Sequence, residues 1–184
     1  PRVRVEAART LGSLGEQAGA AAPALVQCLG HEHSRMVRVA AALALPELGS
    51  AAEDAIPDLI KLAESSDVEG RRAAMFALGK LGGASASALP TLRDCVVSGR
   101  PEDRVVAAWA MLQIRADATN LQAALPIVLD GIAQERPEAA VQLIRVASIV
   151  GKSRPEVRQA IEGLLNAEDP ALRAAANAAV DRLN

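Results

Sequence analysis

Apolar residues stand at positions 3, 7, 11 and 14 as Val, Ala, Leu and Leu, a stripe with the 3.6-residue period of an amphipathic helix. The stripe returns as Val37, Ala41, Leu45 and Leu48, and again as Ala74, Leu78 and Leu81. A fourth copy runs over 104–115, and weaker copies end at Gly151 and Asn184. Taking the last residue of each copy (15, 49, 82, 115, 151, 184), the spacings are 34, 33, 33, 36 and 33. A second apolar stretch follows each of the first four and carries a proline: Pro23, Pro57, Pro90 and Pro126. Proline is tolerated in the first turn of a helix, so each marks the start of a second helix. The unit is a hairpin of helix A and helix B. A fixed period of this size means units that bury their apolar faces on one another.

The fold expected is therefore all-α: a right-handed α-solenoid of about five stacked hairpins plus one C-terminal helix. It forms a single domain over 1–184, in units 1–33, 34–66, 67–100, 101–136, 137–169 and 170–184. Gly15, Gly49 and Gly82 end three A helices, where a left-handed cap excludes a side chain. Ser34, Asp67 and Asp169 stand where an N-cap is wanted, and Pro101, Pro137 and Pro170 can open helices. Two irregularities are expected. Pro46 removes the hydrogen bond to the Ala42 carbonyl and should bend or end the second A helix. The fourth unit ends in Arg115 rather than glycine and has a longer connection over 116–120.

The figure Val-Arg-x-x-Ala-Ala-x-x-Leu-Gly of Val3 to Gly12, with the proline-bearing B helix, resembles the HEAT-like repeat family. The resemblance is to its short bacterial form, also found in phycobilisome lyases, and it covers the whole chain. Tetratricopeptide repeats want a Trp, Gly and Tyr pattern, and the chain has no Tyr; the Thr-Pro-Leu-His of ankyrin repeats is also missing. The resemblance implies a binding scaffold whose inner face is built from B helices. It also admits phycobilin lyase subunits and alkylpurine DNA glycosylases as the enzymatic alternative.

Composition narrows the partners. The net charge is −2 and aromatic residues make up 1%, so neither a strong field nor stacking rings are offered to a polynucleotide. No run of eighteen apolar residues crosses a bilayer. Neither nucleic acid nor membrane is expected as a partner. Pro1 opens directly on a helix A without a capping hairpin, and more chain is expected upstream. Localisation is unassigned, with the cytoplasm as the default setting.

No catalytic, cofactor-binding or metal-binding set is expected. Cys28 and Cys95 each lie five residues after their proline, the place of Leu62 between them. They are expected as buried thiols two repeats apart, beyond the reach of a disulfide. His31, Glu32 and His33 match no zinc spacing, and they read as a solvated turn. Gly79-Lys80-Leu81-Gly82-Gly83 ends a helix instead of opening one after a strand, so it is no phosphate loop. Arg4, Arg38, Arg71, Arg104 and Arg173 recur near helix A starts. Asp67 and Asp169 stand four residues before two of them, spacing suited to an ion pair within the unit or to bridging neighbouring loops. The B-helix ridges Gln27, Lys61, Asp94, Asp130 and Ala24, Asp58, Thr91, Ile127 are small and mildly acidic.

One outer position is unusual. Counting through the A helices it holds Arg9, Leu43, Phe76, Trp109 and Arg145. Large apolar groups fill the middle of a series with arginine at both ends, and Val105, Val106 and Leu112 lie beside Trp109. Leu43, Phe76, Val105, Val106, Trp109 and Leu112 are thus expected as a protein-contact ridge on the convex face, unless superhelical twist tucks them between neighbouring A helices. The function expected is a non-enzymatic scaffold that binds a protein partner or another domain of its own chain, with self-association through the convex face as a further use.

Overall fold

The computed structural model describes residues 1–115, 117, 119–120, 122–124, 126–127 and 155–183. Helices α1 (Arg2–Leu14) and α2 (Ala22–His31) form the first hairpin, α3 (Arg35–Ala44) and α4 (Ile56–Ala63) the second, α5 (Val68–Leu81) and α6 (Leu89–Ser98) the third. Helix α7 (Pro101–Ile114) opens the fourth, and α8 (Pro155–Gly163) and α9 (Pro170–Leu183) follow near the C-terminus. No strand occurs among the described residues. The A helices pack in the order α1, α3, α5, α7, and α2 and α4 pack in a second layer beside them. This is the stacked-hairpin solenoid. Asp130, Pro137, Arg145 and the copy ending at Gly151 lie outside the described residues.

The local signals act through identifiable bonds. Pro23, Pro57 and Pro90 each sit at the second position of a B helix. Asp67 accepts the Gly70 N–H at 3.2 Å, and Asp169 accepts those of Ala171 at 2.7 Å and Leu172 at 3.2 Å. Ser34 makes no side-chain cap. The Glu32 carboxylate instead takes the Ser34 N–H at 2.9 Å. Ahead of Pro46, α3 ends after 10 residues, whereas α5 and α7 run for 14.

The A-to-B connections are 3₁₀ runs, Gly15–Ala21, Leu45–Ala55 and Gly82–Ala88. Their glycines have positive φ: 63° at Gly15, 66° at Gly49 and 59° at Gly82. The matching ψ values, −141°, −143° and −137°, place them in the mirror image of the β basin rather than the left-handed helical one expected. That basin is open to glycine and closed to side chains. Small residues then let the runs stack: a methyl at Gly19 would stand 3.1 Å from the Ala51 methyl.

The hydrophobic stripe is buried at Val37 and Ala41 of α3, at Leu45 and Leu48 of the 3₁₀ run that follows it, and at Ala74 and Leu78 of α5. Helix α1 differs. There Val3 is 83% and Leu14 51% exposed, and Ala7 is exposed, because no A helix precedes α1 among the described residues.

The arginines tie units together. Arg4 Nε donates to Glu32 at 2.8 Å, Arg38 Nε to Asp67 at 3.0 Å and Arg71 Nε to Asp103 at 3.1 Å. The last two bonds join one hairpin to the next. Asp67 therefore pairs with the Arg38 of the unit before it and not with Arg71, which settles the choice between an internal pair and a bridge. Arg104 Nε donates to the Val96 carbonyl at 2.8 Å, and Arg173 to the Glu168 carbonyl at 2.8 Å. Five guanidinia are thus committed within the fold.

Cys28 and Cys95 are free and only half-buried, whereas Leu62 between them is buried. Their expected depth is corrected on this point: the place shared with Leu62 admits solvent around the smaller thiol.

Candidate functional site

The six residues expected along the convex ridge lie at different depths. Leu43 is 43% exposed, Trp109 only 6%, and Leu112 is buried. Phe76, Val105 and Val106 are half-buried. A continuous exposed ridge is therefore not what the fold presents. The cause is a close helix crossing. A methyl on Gly79 of α5 would stand 2.9 Å from the Ala110 Cα of α7 and 2.5 Å from Cζ3 of Trp109. The absence of a side chain at Gly79 lets α7 approach and lets the Trp109 ring lie over the α5 backbone. Phe76 covers that ring with centroids 4.8 Å apart and planes 10° from parallel, a stacked pair.

The same crossing is found two steps earlier in the stack, between α1 and α3, with a different filling. A methyl on Gly12 of α1 would stand 3.1 Å from the Ala44 Cα of α3. The counterparts in the repeat are Gly12 for Gly79, Ala44 for Ala110 and Leu43 for Trp109. Leucine is too short to cover the gap an indole covers. A groove of about 740 Å³ is left open between α1 and α3, its floor including Val5, Gly12, Val39 and Ala40, its apolar wall Met36 and Leu43. Met36 is 59% exposed.

The rim is charged but internally paired. Arg35 donates to Glu69 at 3.0 Å and Arg9 to Glu6 at 2.9 Å, and Lys80 lies 3.5 Å from Glu47. What the groove offers without competition is apolar surface. Its chemistry is that of a receptacle for a large apolar side chain.

The Arg-to-acid links and the glycine-closed turns are written three times, and the close glycine crossing twice. The family model for HEAT repeats matches residues 1–74 and 34–114. This chain belongs to the HEAT-repeat family. No curated protein matches the chain. HEAT repeats commonly serve as protein-interaction scaffolds, and the family is typically non-enzymatic.

The B-helix side of this HEAT stack is sparse. Gln27, Lys61 and Asp94 are exposed, Asp58 and Thr91 half-buried and Ile127 buried. Lys61 is matched by Asp58 at 3.1 Å, and Thr91 Oγ1 donates to Glu64 at 2.9 Å. Glu32 in the His31–His33 turn is engaged by Arg4, whose bond holds its carboxyl below the usual range. Burial pushes both cysteine thiols above theirs.

Reasoning from sequence missed Met36 and the groove itself. The signal was present as a mismatch: Gly12 promises the close crossing, while the residue that covers the crossing is Trp109 in one unit and Leu43 in another.

Proposed function

We propose that this chain is a non-catalytic protein-binding scaffold whose contact surface is centred on the α1–α3 groove. Its partner inserts one large apolar side chain, aromatic by preference, beside Leu43 and Met36. The observation that carries this reading is the pair of equivalent clefts, one closed by Trp109 over Gly79 and one open at Gly12. An indole fits the first, so the second has the dimensions for a bulky group from outside. Of the six ridge positions, Leu43 is the contact residue, and Phe76, Trp109, Val105, Val106 and Leu112 hold the α5–α7 crossing in shape. The B face, with Asp58, Glu64 and Asp94 around Lys61, repels polyanions, and no DNA mobility shift is expected even at low salt.

The test is an amide-resolved NMR titration with N-acetyltryptophanamide as the indole probe. Shifts should cluster on Val5, Gly12, Val39 and Leu43, with millimolar affinity, about −4 kcal/mol for a fragment of this size. Leu43→Trp should abolish them by filling the groove from within. Shifts scattered over the surface, or unchanged in Leu43→Trp, overturn the assignment.

A further inference from the structure

We propose that Met36 is a site of reversible oxidation that controls the α1–α3 groove: as a thioether it admits an apolar side chain, and as a sulfoxide it shuts that side chain out. This rests on the groove being the contact surface.

The chain has three methionines. Met75 and Met111 are 1% and 0% exposed, whereas Met36 is 59% exposed and lines the groove. A peroxide in solution therefore reaches one thioether and not the other two. The repeat also marks this position. Arg2, Glu69 and Glu102 hold it on α1, α5 and α7, and all three are exposed. On α3 the same place is apolar. Exposed charge at the other copies means that the fold accepts a polar group here, so an oxidised Met36 alters the groove and leaves the stack intact.

The step needs one co-reactant, hydrogen peroxide. A lone pair on Met36 Sδ attacks one peroxide oxygen; a sulfur–oxygen bond forms and the oxygen–oxygen bond breaks. Sulfur gives up two electrons. The second oxygen leaves as hydroxide, takes the proton from the transferred oxygen and becomes water. A dithiol reverses the change, its two sulfurs joining as a disulfide while the sulfoxide oxygen departs as water.

Oxidation changes the wall of the groove. The thioether is soft and apolar and packs well against an aromatic ring. The sulfoxide carries a polar oxygen that needs a donor. Both arginines that line the groove are committed, Arg35 to Glu69 at 3.0 Å and Arg9 to Glu6 at 2.9 Å. The sulfoxide oxygen is left to water, and an indole can enter only by stripping that water away.

The test treats the chain as it stands with hydrogen peroxide at about pH 5, where Cys28 and Cys95 are protonated and only the thiolate would react. Peptide mass mapping and the N-acetyltryptophanamide titration follow. In the native chain Met36 should oxidise at least about tenfold faster than Met75 and Met111, and in denaturant all three should oxidise alike. The oxidised chain should keep its melting midpoint, and the Kd for the probe should rise at least about fivefold. Methionine sulfoxide reductases of both epimer specificities should restore binding. Met36→Gln should lose the shifts without peroxide, and Met36→Leu should keep them with or without it. Equal native rates at the three methionines overturn the proposal. So does complete oxidation of Met36 with the shifts unchanged, a result that leaves the groove as the contact surface. Shifts lost to peroxide in Met36→Leu also overturn it, because the sensitive group then lies elsewhere. If the untreated chain gives no clustered shifts, the groove assignment itself falls and the switch with it.

Discussion

Gly79 and Trp109 share one space: a methyl on the glycine would stand 2.5 Å from Cζ3 of the indole. Gly79→Ala should therefore cost about 1–3 kcal/mol by overpacking, and Trp109→Ala about 3–5 kcal/mol by leaving a void. Trp109 Nε1 is buried without a hydrogen-bond partner, so Trp109→Phe loses no bond, keeps a ring against Phe76 and should cost less than Trp109→Ala, its loss being the smaller void left over Gly79. Thermal melts should show this order, at about 2–4 °C per kcal/mol for a chain of this length. A Trp109→Phe variant as unstable as Trp109→Ala would show that the N–H matters more than the ring.

Asp103 receives bonds from Arg71 and from Arg72, the latter at 2.7 Å, and its side chain is nearly buried. Burial alone would raise its carboxyl pKa, but the two guanidinia outweigh burial and hold it below the usual carboxylate range. Asp67 behaves in the same way under Arg38. A depressed folded value means stability fully present above the unfolded pKa of about 3.9 and lost as pH falls through the folded one. Unfolding midpoints should stay flat from neutrality to about pH 5 and drop below pH 4. Asp103→Asn should blunt that drop, and Asp103→Ala should cost about 3–5 kcal/mol at pH 7 by stranding the arginines. An unaltered acid limb in Asp103→Asn would refute the linkage.

Much of this was legible because a repeat announces itself at every copy. The helices, the B-helix prolines and the early end before Pro46 follow from local chemistry, and local chemistry is written in the sequence. What escaped was register between units. Position 109 looks outward on a single helical wheel, yet Trp109 is buried because Gly79 on another helix lets α7 lean in. Arg71 was equally well placed for Asp67 on its own helix and for an acid on the next, and only the stacking chose Asp103. Ser34 lost its cap to Glu32 for a like reason, since Glu32 is held in place by Arg4 from α1, the preceding A helix. Depth and pairing are properties of two units together, and one unit's pattern does not contain them.

Gly82 gives a test of backbone geometry isolated from packing. Its φ of 59° lies in a region closed to side chains, yet the nearest atom to an added methyl is the Gln113 carbonyl oxygen, 3.9 Å away. Gly82→Ala should cost about 1–3 kcal/mol from strain alone. Its neighbour Gly83 has no atom within 4 Å of an added methyl and no positive φ, so Gly83→Ala should be neutral or stabilising by up to about 1 kcal/mol. Equal effects at the two positions, measured by urea denaturation, would contradict the turn described here.

The half-buried thiols make a kinetic prediction. Burial raises both, reinforced at Cys28 by Glu32 and opposed there by Arg4, and reinforced at Cys95 by Asp103 and opposed there by Arg71 and Arg104. Since the thiolate is the reactive form, alkylation at pH 7 should run at least about tenfold slower in the native chain than in denaturant. It should accelerate as pH rises past the ordinary thiol pKa of about 8.5. Native labelling at the rate of a free thiol would refute the placement of these side chains.

The equivalence of the two clefts makes the sharpest prediction. Leu43 and Trp109 hold the same place on α3 and α7, but Leu43 is partly in solvent and Trp109 is not. Leu43→Glu should leave the melting midpoint nearly unchanged, since exposed positions tolerate substitution within about 0.5 kcal/mol. Trp109→Glu should unfold the third and fourth units by burying a charge against the α5 backbone. Leu43→Trp is the informative change. If the cleft at Gly12 matches the one at Gly79, the new indole lies across α1 as Trp109 lies across α5, excludes water from Val5 and Val39, and stabilises the chain by about 0.5–2 kcal/mol, the usual gain from filling a void. Its fluorescence should shift to the blue of a buried ring. A neutral or destabilising Leu43→Trp with solvent-like emission would mean that the groove does not accept an aromatic side chain, and the contact assigned to it would fall.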